Sequence, residues 1–111
     1  MTSLSTHVLD TMHGRPASGL EVVLTGPGGE IGRGTTDSDG RCPGLAPGQL
    51  VAGRYTLRFS VGAYFQRAGV VIAEPAFLDV VAVDFGLSDE GGHYHVPLLV
   101  SPYGYSTYRG S

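Results

Sequence analysis

Groups that can move protons are concentrated in the last segment of this sequence, residues 93–111. That segment holds two of the four histidines and four of the six tyrosines, with Arg109 close to Ser111. An imidazole has a reference pKa of about 6.5, so it can act as a base or an acid near neutral pH. Because the ends of most domains fray, this density of functional groups predicts that the segment is held in place and takes part in function.

The alternation of side chains along β-strands predicts which of these groups share a surface. In the strand predicted at 94–101, the aliphatic residues face the core and His95 faces the other way, as does His93 just before the strand. In an earlier strand, 4–11, the same rule turns His7 away from the core. The predicted strand 105–109 adds Tyr108, together with Ser106, to the outward face. His7 and His95 are therefore expected on the outer face of a sheet.

That outer face also carries apolar residues, namely Leu9, Pro97 and Leu99. An apolar face of this kind is better covered by another subunit than left in water. We therefore predict that the site lies at an interface between copies of the chain. For isolated residues the alternative is that the histidines and the tyrosine only line a protein interface, and composition alone leaves that alternative open.

The elements that position these groups are predicted to be short strands. The chain has 111 residues, of which 18 are glycine and 7 are proline, with 41% hydrophobic residues, which is typical of one all-β domain spanning residues 1–111. About eight strands with turns between them predict a two-sheet β-sandwich, with one short helix at 63–68. The clearest strands are predicted at 4–11, 20–25, 30–36, 53–61, 77–85, 94–101 and 105–109.

The sequence allows a specific structural prediction for two residues within these strands. Asp79 is expected to be the interior charged residue of strand 77–85. Pro97 cannot donate a hydrogen bond to a neighbouring strand, so we expect a gap, a bulge or an edge at its position.

Charge and composition argue against several classes of partner. The net charge of −3 gives neither the basic surface that nucleic acid binding needs nor a polybasic membrane patch. The first residues lack the basic and apolar regions of an export signal, so a cytoplasmic location is expected. The single cysteine, Cys42, cannot form an intramolecular disulfide and is expected to be a partly buried thiol without a chemical role.

Four segments carry a resemblance to a known family. They are Leu-Ser-Thr-His-Val-Leu-Asp at 4–10, Asp-Gly-Arg-Cys at 39–42, His-Tyr-His-Val-Pro-Leu-Leu at 93–99 and the segment 101–111, which ends in Tyr-Arg-Gly-Ser. In this order they resemble the 5-hydroxyisourate hydrolases, the transthyretin-related enzymes of purine catabolism. The terminal Tyr-Arg-Gly-Ser is the specific part, because the enzymes carry it and the vertebrate thyroid-hormone carriers of the same fold do not.

The resemblance implies a transthyretin-like sandwich, a homotetramer with active sites at the dimer–dimer interface, and hydrolysis of 5-hydroxyisourate to 2-oxo-4-hydroxy-4-carboxy-5-ureidoimidazoline without a metal or other cofactor. Matched residue by residue, it implies catalytic roles for His7, Arg41, His95 and Ser111. It also implies that Tyr108 contacts the substrate together with His7 and Arg41. His93 is left out, because the family's functional histidine is the second of the pair.

The residue types agree with this chemistry. Opening a ring amide requires activation of water, stabilisation of the negative charge on the carbonyl oxygen and a proton for the leaving nitrogen. His7 and His95 can share water activation and proton transfer, while the guanidinium of Arg41 can orient the substrate and stabilise charge. Which histidine is the base stays open, as does whether Ser111 acts through its hydroxyl or through a terminal carboxylate.

Four alternatives compete with this interpretation. His93, His95 and His7 could bind a metal, although no fourth ligand is evident. Cys42 beside Arg41 could be a nucleophile, because a neighbouring cation lowers the pKa of a thiol. A transthyretin-like carrier would hold an aromatic ligand without chemistry, and a purely structural sandwich would leave the polar groups on the outer face unexplained.

Overall fold

The computed structural model describes residues 2–110 and has eight strands and one helix within that range. The strands are β1 (Thr2–Asp10), β2 (Arg15–Pro16), β3 (Glu21–Gly26), β4 (Gly29–Thr35), β5 (Gly53–Ser60), β6 (Val80–Leu87), β7 (Gly92–Ser101) and β8 (Gly104–Thr107), and helix α1 (Val61–Arg67) follows β5. Two four-stranded sheets result, ordered β2-β1-β7-β8 and β4-β3-β5-β6. The predicted all-β sandwich with one short helix is confirmed.

The core forms because alternate side chains of each strand point between the two sheets. In β5 the residues Tyr55, Leu57 and Phe59 are buried, whereas the residues between them are half-buried or exposed. The removal of such apolar side chains from water is the main force that holds the sheets together. The largest fully buried side chains are Phe59, Phe65, Leu20, Leu24, Leu57, Leu98, Val8, Val22, Val61, Val100 and Asp10.

The sheet that carries the predicted site is organised by the pairing of β1 with β7. These two strands run parallel and pair over their whole common length, from Thr2 opposite Gly92 to Asp10 opposite Val100. In this register Ser5 lies opposite His95 and His7 lies opposite Pro97. Strands far apart in the sequence therefore place their polar residues side by side on one face.

The expected irregularity at Pro97 is confirmed. β8 pairs with β7 only as far as Leu98 opposite Thr107, and the pairing resumes in the same register at a single bridge between His95 and Gly110. Between these two points the chain leaves the ladder, next to the residue that has no N–H to donate. The hydroxyl of Thr107 donates instead to the carbonyl of Pro97 over 2.7 Å.

The prediction for the strand at 77–85 is wrong at its start. β6 begins at Val80, so Asp79 precedes the strand and Asp84 is the charged residue within it. The physical reason is the helix, because the N–H of Gly62 in α1 donates to the carbonyl of Asp79 over 2.9 Å. That bond satisfies one of the free N–H groups of the first helical turn and holds Asp79 outside the ladder.

Other boundaries differ by smaller amounts. The helix starts at Val61 rather than at residue 63, and β8 ends at Thr107, two residues before the predicted end. Between the strands predicted at 4–11 and 20–25 lies the two-residue strand β2, which pairs with the end of β1. No helix among residues 2–110 is long and apolar enough to cross a membrane.

A buried carboxylate ties the end of β1 to the helix. Asp10 is fully buried, and its carboxylate accepts hydrogen bonds from the backbone N–H and the Nδ1 of His13 and from the hydroxyl of Tyr64. Burial alone would raise the pKa of Asp10, but the hydrogen bonds from His13 and Tyr64 outweigh it and hold the pKa below its usual value of 3.8. Burial and the neighbouring carboxylate raise the pKa of Tyr64 to about 12.

The substitution Asp10→Asn should lower the free energy of unfolding at neutral pH by about 1.5–3 kcal/mol, the usual range for hydrogen bonds to a charged group. The lowered pKa of Asp10 adds stability that is present above its unfolded value of 3.8 and is lost as the pH falls through the native value. The difference in the free energy of unfolding between Asp10→Asn and the unsubstituted protein should therefore become smaller in acid. Urea denaturation at neutral and acidic pH measures it, and Asp89→Asn, at an exposed turn residue, should change neither curve.

Candidate active site

The two predicted catalytic histidines come together on the outer face of the β1–β7 pair. The ring centroids of His7 and His95 are 6.4 Å apart, with 37° between the ring planes. Both side chains are half-buried, whereas the residues that alternate with them, Val8 and Val96, are buried in the core. The alternation rule therefore predicts correctly that both imidazoles face away from the core, and the parallel pairing of β1 with β7 brings them side by side.

Arg41 reaches the same face through its backbone. It forms an isolated antiparallel bridge with His7, and the N–H of Val8 donates to the carbonyl of Gly40 over 2.8 Å. Gly40 has φ +77°, and a Cβ on it would lie 2.4 Å from the carbonyl oxygen of Val8, so only glycine allows this close approach. The bridge fixes the guanidinium-bearing residue beside His7.

The turn before Arg41 is held by one carboxylate. Oδ1 of Asp37 accepts hydrogen bonds from the N–H of Asp39 and the N–H of Arg41, over 2.9 and 3.1 Å. The N–H of Gly40 donates to the carbonyl of Asp37, which closes the turn. This is the turn chemistry expected of an Asp-Ser-Asp-Gly sequence, and it makes the position of Arg41 a consequence of local sequence.

The surroundings of His95 favour its neutral form. Burial lowers the pKa of His95 below its usual value of 6.5, and the positive charges of Arg41, His7 and His93 lower it further. A neutral imidazole has one nitrogen that can accept a proton and one that can donate. His95 is therefore suited to proton transfer near neutral pH.

Serine hydroxyls connect His95 to the other histidine of β7. The hydroxyl of Ser5 lies 2.7 Å from Nδ1 of His95 and 2.9 Å from Nε2 of His93, and the hydroxyl of Ser3 lies 2.7 Å from Nδ1 of His93. The sequence alone indicates no role for His93, Ser3 or Ser5. The alternation that groups Ser5 with His7 was the available signal, but the sequence does not show that β1 lies beside β7.

The end of the described chain folds back onto His95. The N–H of Gly110 donates to the carbonyl of His95 over 2.7 Å. A Cβ on Gly110 would lie 2.7 Å from Cδ2 of the His95 ring, so the backbone is packed against the imidazole. The expectation that this segment is held in place is met as far as Gly110.

The substitution Gly110→Ala should therefore displace the His95 ring or the tail. The new methyl group cannot fit at 2.7 Å from the ring, and a misplacement of about 1 Å can reduce turnover by about 10²-fold. The fold should be unchanged, because the tail lies on the surface of the sandwich. Steady-state kinetics and thermal denaturation test this.

The matched control for that substitution is Gly104→Ala at the start of β8. A Cβ on Gly104 would have its nearest neighbour at 3.8 Å, an ordinary contact. This variant should keep the full rate. Equal losses in both variants would show that the strand, and not the contact with His95, is responsible.

Two of the predicted site residues are not brought to the histidines by the described contacts. Tyr108 is 60% exposed and lines a cleft with Asp84, Phe85 and Arg109 at the edge between the sheets. The guanidinium of Arg109 lies 3.8 Å from the centre of the Tyr94 ring. Ser111 lies outside the described residues, so its predicted role stays a prediction.

The alternative sites receive no support from the geometry. Cys42 is buried, and burial together with the charge of Asp37 raises the pKa of its thiol, which disfavours the thiolate a nucleophile needs. Within residues 2–110 no group of three or more His, Cys, Asp or Glu side chains is placed to hold a metal ion. The imidazole nitrogens of His93 and Nδ1 of His95 bond to serine hydroxyls instead.

Comparison with known proteins shows that nearly the whole chain is similar to one family. The model of the HIUase/Transthyretin family matches residues 4–110. A protein of Caulobacter vibrioides named 5-hydroxyisourate hydrolase is 47% identical, and the similarity covers 100% of both chains.

Solved structures of related proteins share the fold of this chain. The 5-hydroxyisourate hydrolase of Klebsiella pneumoniae has a TM-score of 0.88 and 39% identity, with 100% of each chain covered. Sea bream transthyretin in complex with thyroxine has a TM-score of 0.84 and 31% identity, covering 96% of this chain and 93% of that one. With its two-sheet fold and a family match that reaches from β1 to the tail packed on His95, the chain belongs to the HIUase/Transthyretin family.

Proposed function

We propose that this protein is a 5-hydroxyisourate hydrolase of purine catabolism, acting through a single domain of residues 1–111 and yielding 2-oxo-4-hydroxy-4-carboxy-5-ureidoimidazoline. The observation that carries the proposal is the pair of imidazoles, His7 and His95, with ring centroids 6.4 Å apart and Arg41 bridged to the strand beside them. The names of the relatives at close to half identity support the same substrate.

The reaction consumes one water, whose hydroxyl stays on the carbonyl carbon and whose other proton passes to the leaving nitrogen. The carboxylic acid that forms then loses its proton to solvent at neutral pH. One imidazole takes a proton from water as its oxygen adds to the ring carbonyl carbon, and the guanidinium of Arg41 stabilises the negative charge that forms on the carbonyl oxygen. The carbon–nitrogen bond then breaks, and the leaving nitrogen receives a proton from an imidazole. His7 and His95 are the proposed proton carriers, Tyr108 is the further proposed substrate contact, and no cofactor takes part.

Shelter from water is proposed to come from other subunits. The imidazoles lie on an outer sheet face that also carries the half-buried side chains of Leu9 and Leu99, and an apolar face of this kind favours association. A homotetramer with sites at the dimer–dimer interface would enclose this face and strengthen the charge interactions there. A cytoplasmic location is proposed with it.

A carrier is the second candidate, because the thyroxine complex of sea bream transthyretin shares the fold at 31% identity. The two functions separate in one assay, in which freshly prepared 5-hydroxyisourate is mixed with the protein and its ultraviolet absorbance is followed. We expect the absorbance to decay far faster than the spontaneous rate. Decay at the spontaneous rate, with tight binding of an aromatic ligand, would support the carrier and refute the enzyme.

The proposed role of Ser111 has its own test. A peptide tag added after Ser111 removes any carboxylate there and crowds the site, since Gly110 already packs against His95. We expect the tagged protein to lose about tenfold or more in turnover, as substrate-positioning groups typically do when displaced. A tag before Met1 is the control, and full activity with the tag after Ser111 would count against a role for this residue.

A further inference from the structure

Four side chains form a continuous hydrogen-bonded line across the outer face of the β1–β7 pair. The order is Ser3, His93, Ser5 and His95, and the three separations along the line are 2.7, 2.9 and 2.7 Å. The parallel register produces the line, because Ser3 is paired with His93 and Ser5 with His95. Side chains of paired residues point to the same face of a sheet, so each serine stands beside a histidine.

The hydroxyl of Ser5 limits which tautomers the two histidine rings of this line can adopt. It has one proton to donate, and it lies within hydrogen-bond distance of two imidazole nitrogens. If it donates to Nδ1 of His95, it must accept from Nε2 of His93, and if it donates to Nε2 of His93, it must accept from Nδ1 of His95. A fully bonded line of neutral rings therefore has only two arrangements.

In the first arrangement both rings carry their proton on Nε2, and in the second both carry it on Nδ1. The first makes Nε2 of His95 a hydrogen-bond donor, whereas the second leaves a lone pair there that can accept a proton. Among residues 2–110, no side chain or backbone group is hydrogen-bonded to Nε2 of His95. Within the described part of the chain this nitrogen is therefore the one that is not already hydrogen-bonded.

We propose that Ser5 is a positioning residue that couples the tautomer of His95 to that of His93, so that the Ser3–His93–Ser5–His95 line decides whether His95 presents a base or an acid to the substrate. The coupling follows from the hydroxyl geometry alone. Its consequence for turnover rests on the proposed hydrolysis of 5-hydroxyisourate.

The two histidines of the line differ in exposure. His93 is exposed to solvent, whereas Ser5 and His95 are half-buried. In the single chain His93 is the more accessible of the two rings, and the coupling transmits its choice of tautomer to the less accessible ring. His93, which contributes nothing to the site by direct contact, thereby acquires a function through Ser5.

The decisive measurement is the ¹⁵N chemical shifts of the ring nitrogens of His93 and His95 in the assembled protein, because these shifts distinguish Nδ1–H from Nε2–H. We expect both rings to share one tautomer in the unsubstituted protein. In Ser5→Ala we expect the two rings to become independent, with a changed tautomer mixture at His95. Rings that carry their protons on different nitrogens in the unsubstituted protein would overturn the proposal.

Kinetics supply the second readout. Ser5→Ala should lower kcat about tenfold or more, as loss of a group that orients a catalytic ligand or base does elsewhere, and should change the pH profile of kcat. Ser5→Thr keeps the hydroxyl and should restore both. An unchanged kcat and pH profile in Ser5→Ala would overturn the role in positioning.

Two further variants guard against a simple effect on folding. His93→Phe breaks the line at an exposed residue and leaves Ser5 intact, and it should alter the ¹⁵N shifts of His95 in the same sense. Ser60→Ala is the matched control, because the Ser60 hydroxyl makes no capping hydrogen bond and lies on the other sheet. Changes at His95 in Ser60→Ala of the same size as in Ser5→Ala would overturn the assignment.

The outcomes separate this inference from the proposed function. Suppose that 5-hydroxyisourate decays no faster with the unsubstituted protein than without it, while the ¹⁵N shifts show that both rings share one tautomer. The proposed function and the role of Ser5 in turnover then fail, and the coupling stands. If the protein hydrolyses the substrate while the tautomers of His93 and His95 are independent of each other, the inference fails and the proposed function stands.

Discussion

Replacement of His95 by glutamine is expected to lower kcat for 5-hydroxyisourate by about 10²- to 10⁴-fold, the usual contribution of a positioned acid or base. Glutamine keeps a polar side chain of similar size, so the fold and the hydrogen bond from Gly110 to the carbonyl of His95 should persist. The loss would then report the missing proton transfer. The absorbance decay of 5-hydroxyisourate at saturating substrate measures it.

Two comparisons sharpen this experiment. His13→Gln changes a histidine that bonds to Asp10 and lies outside the site, so it should leave kcat unchanged. If His7 and His95 work as one unit, the double variant should lose little more than either single variant. A His95→Gln protein with the full rate would show that other groups carry the proton.

The pH dependence of the unsubstituted protein follows from the same residue. Burial and then the charges of Arg41, His7 and His93 lower the pKa of His95 from 6.5, so the neutral ring persists into mildly acidic solution. If the neutral ring is the active form, kcat/KM should fall only as the pH drops through this lowered pKa. The acid limb of the profile is therefore expected below pH 6.5.

The substitution Arg41→Ala should produce the second large effect, a loss of about 10²- to 10³-fold in kcat, as expected when a donor to a developing negative charge is removed. Arg41 is exposed, and its bridge to His7 is made by the backbone. The substitution should therefore leave stability unchanged. Thermal denaturation checks that point, and Arg54→Ala, at an exposed residue of β5, is the matched control for kinetics.

A pH profile distinguishes the two contributions of Arg41. Its positive charge helps to lower the pKa of His95, so in Arg41→Ala the acid limb should move to higher pH. Arg41→Lys keeps the charge but loses the planar fork of donors, so the limb should stay in place while kcat remains low. An Arg41→Ala protein with unchanged kcat would remove Arg41 from the proposed mechanism.

The fold class and the faces of the strands were predictable because they depend on local patterns. Alternation in β1 and β7 turned His7 and His95 outward and left Val8 and Val96 in the core. The turn before Arg41 was predictable for the same reason, since Asp and Gly residues favour its backbone conformation. Each of these features is determined by residues within one turn or strand.

The predicted start of β6 and the predicted end of β8 are wrong because contacts with distant segments override local preferences there. Asp79 directly precedes a run of strand-forming residues, but its carbonyl accepts a hydrogen bond from the N–H of Gly62 in the helix, and β6 begins after it. β8 ends at Thr107 because the chain leaves the ladder beside Pro97 and returns to it at Gly110. These features depend on contacts between segments that the sequence does not show to be neighbours.

The sequence by itself determined which groups could do chemistry and which side of a strand each would face, because side-chain type and the two-residue repeat are local properties. Only the tertiary structure decided that β1 lies parallel to β7 in the register that pairs Ser5 with His95. That register results from burying the inner faces of both strands at once. It makes the serines and His93 partners of His95, and it brings the rings of His7 and His95, which are far apart in the sequence, to a centroid separation of 6.4 Å.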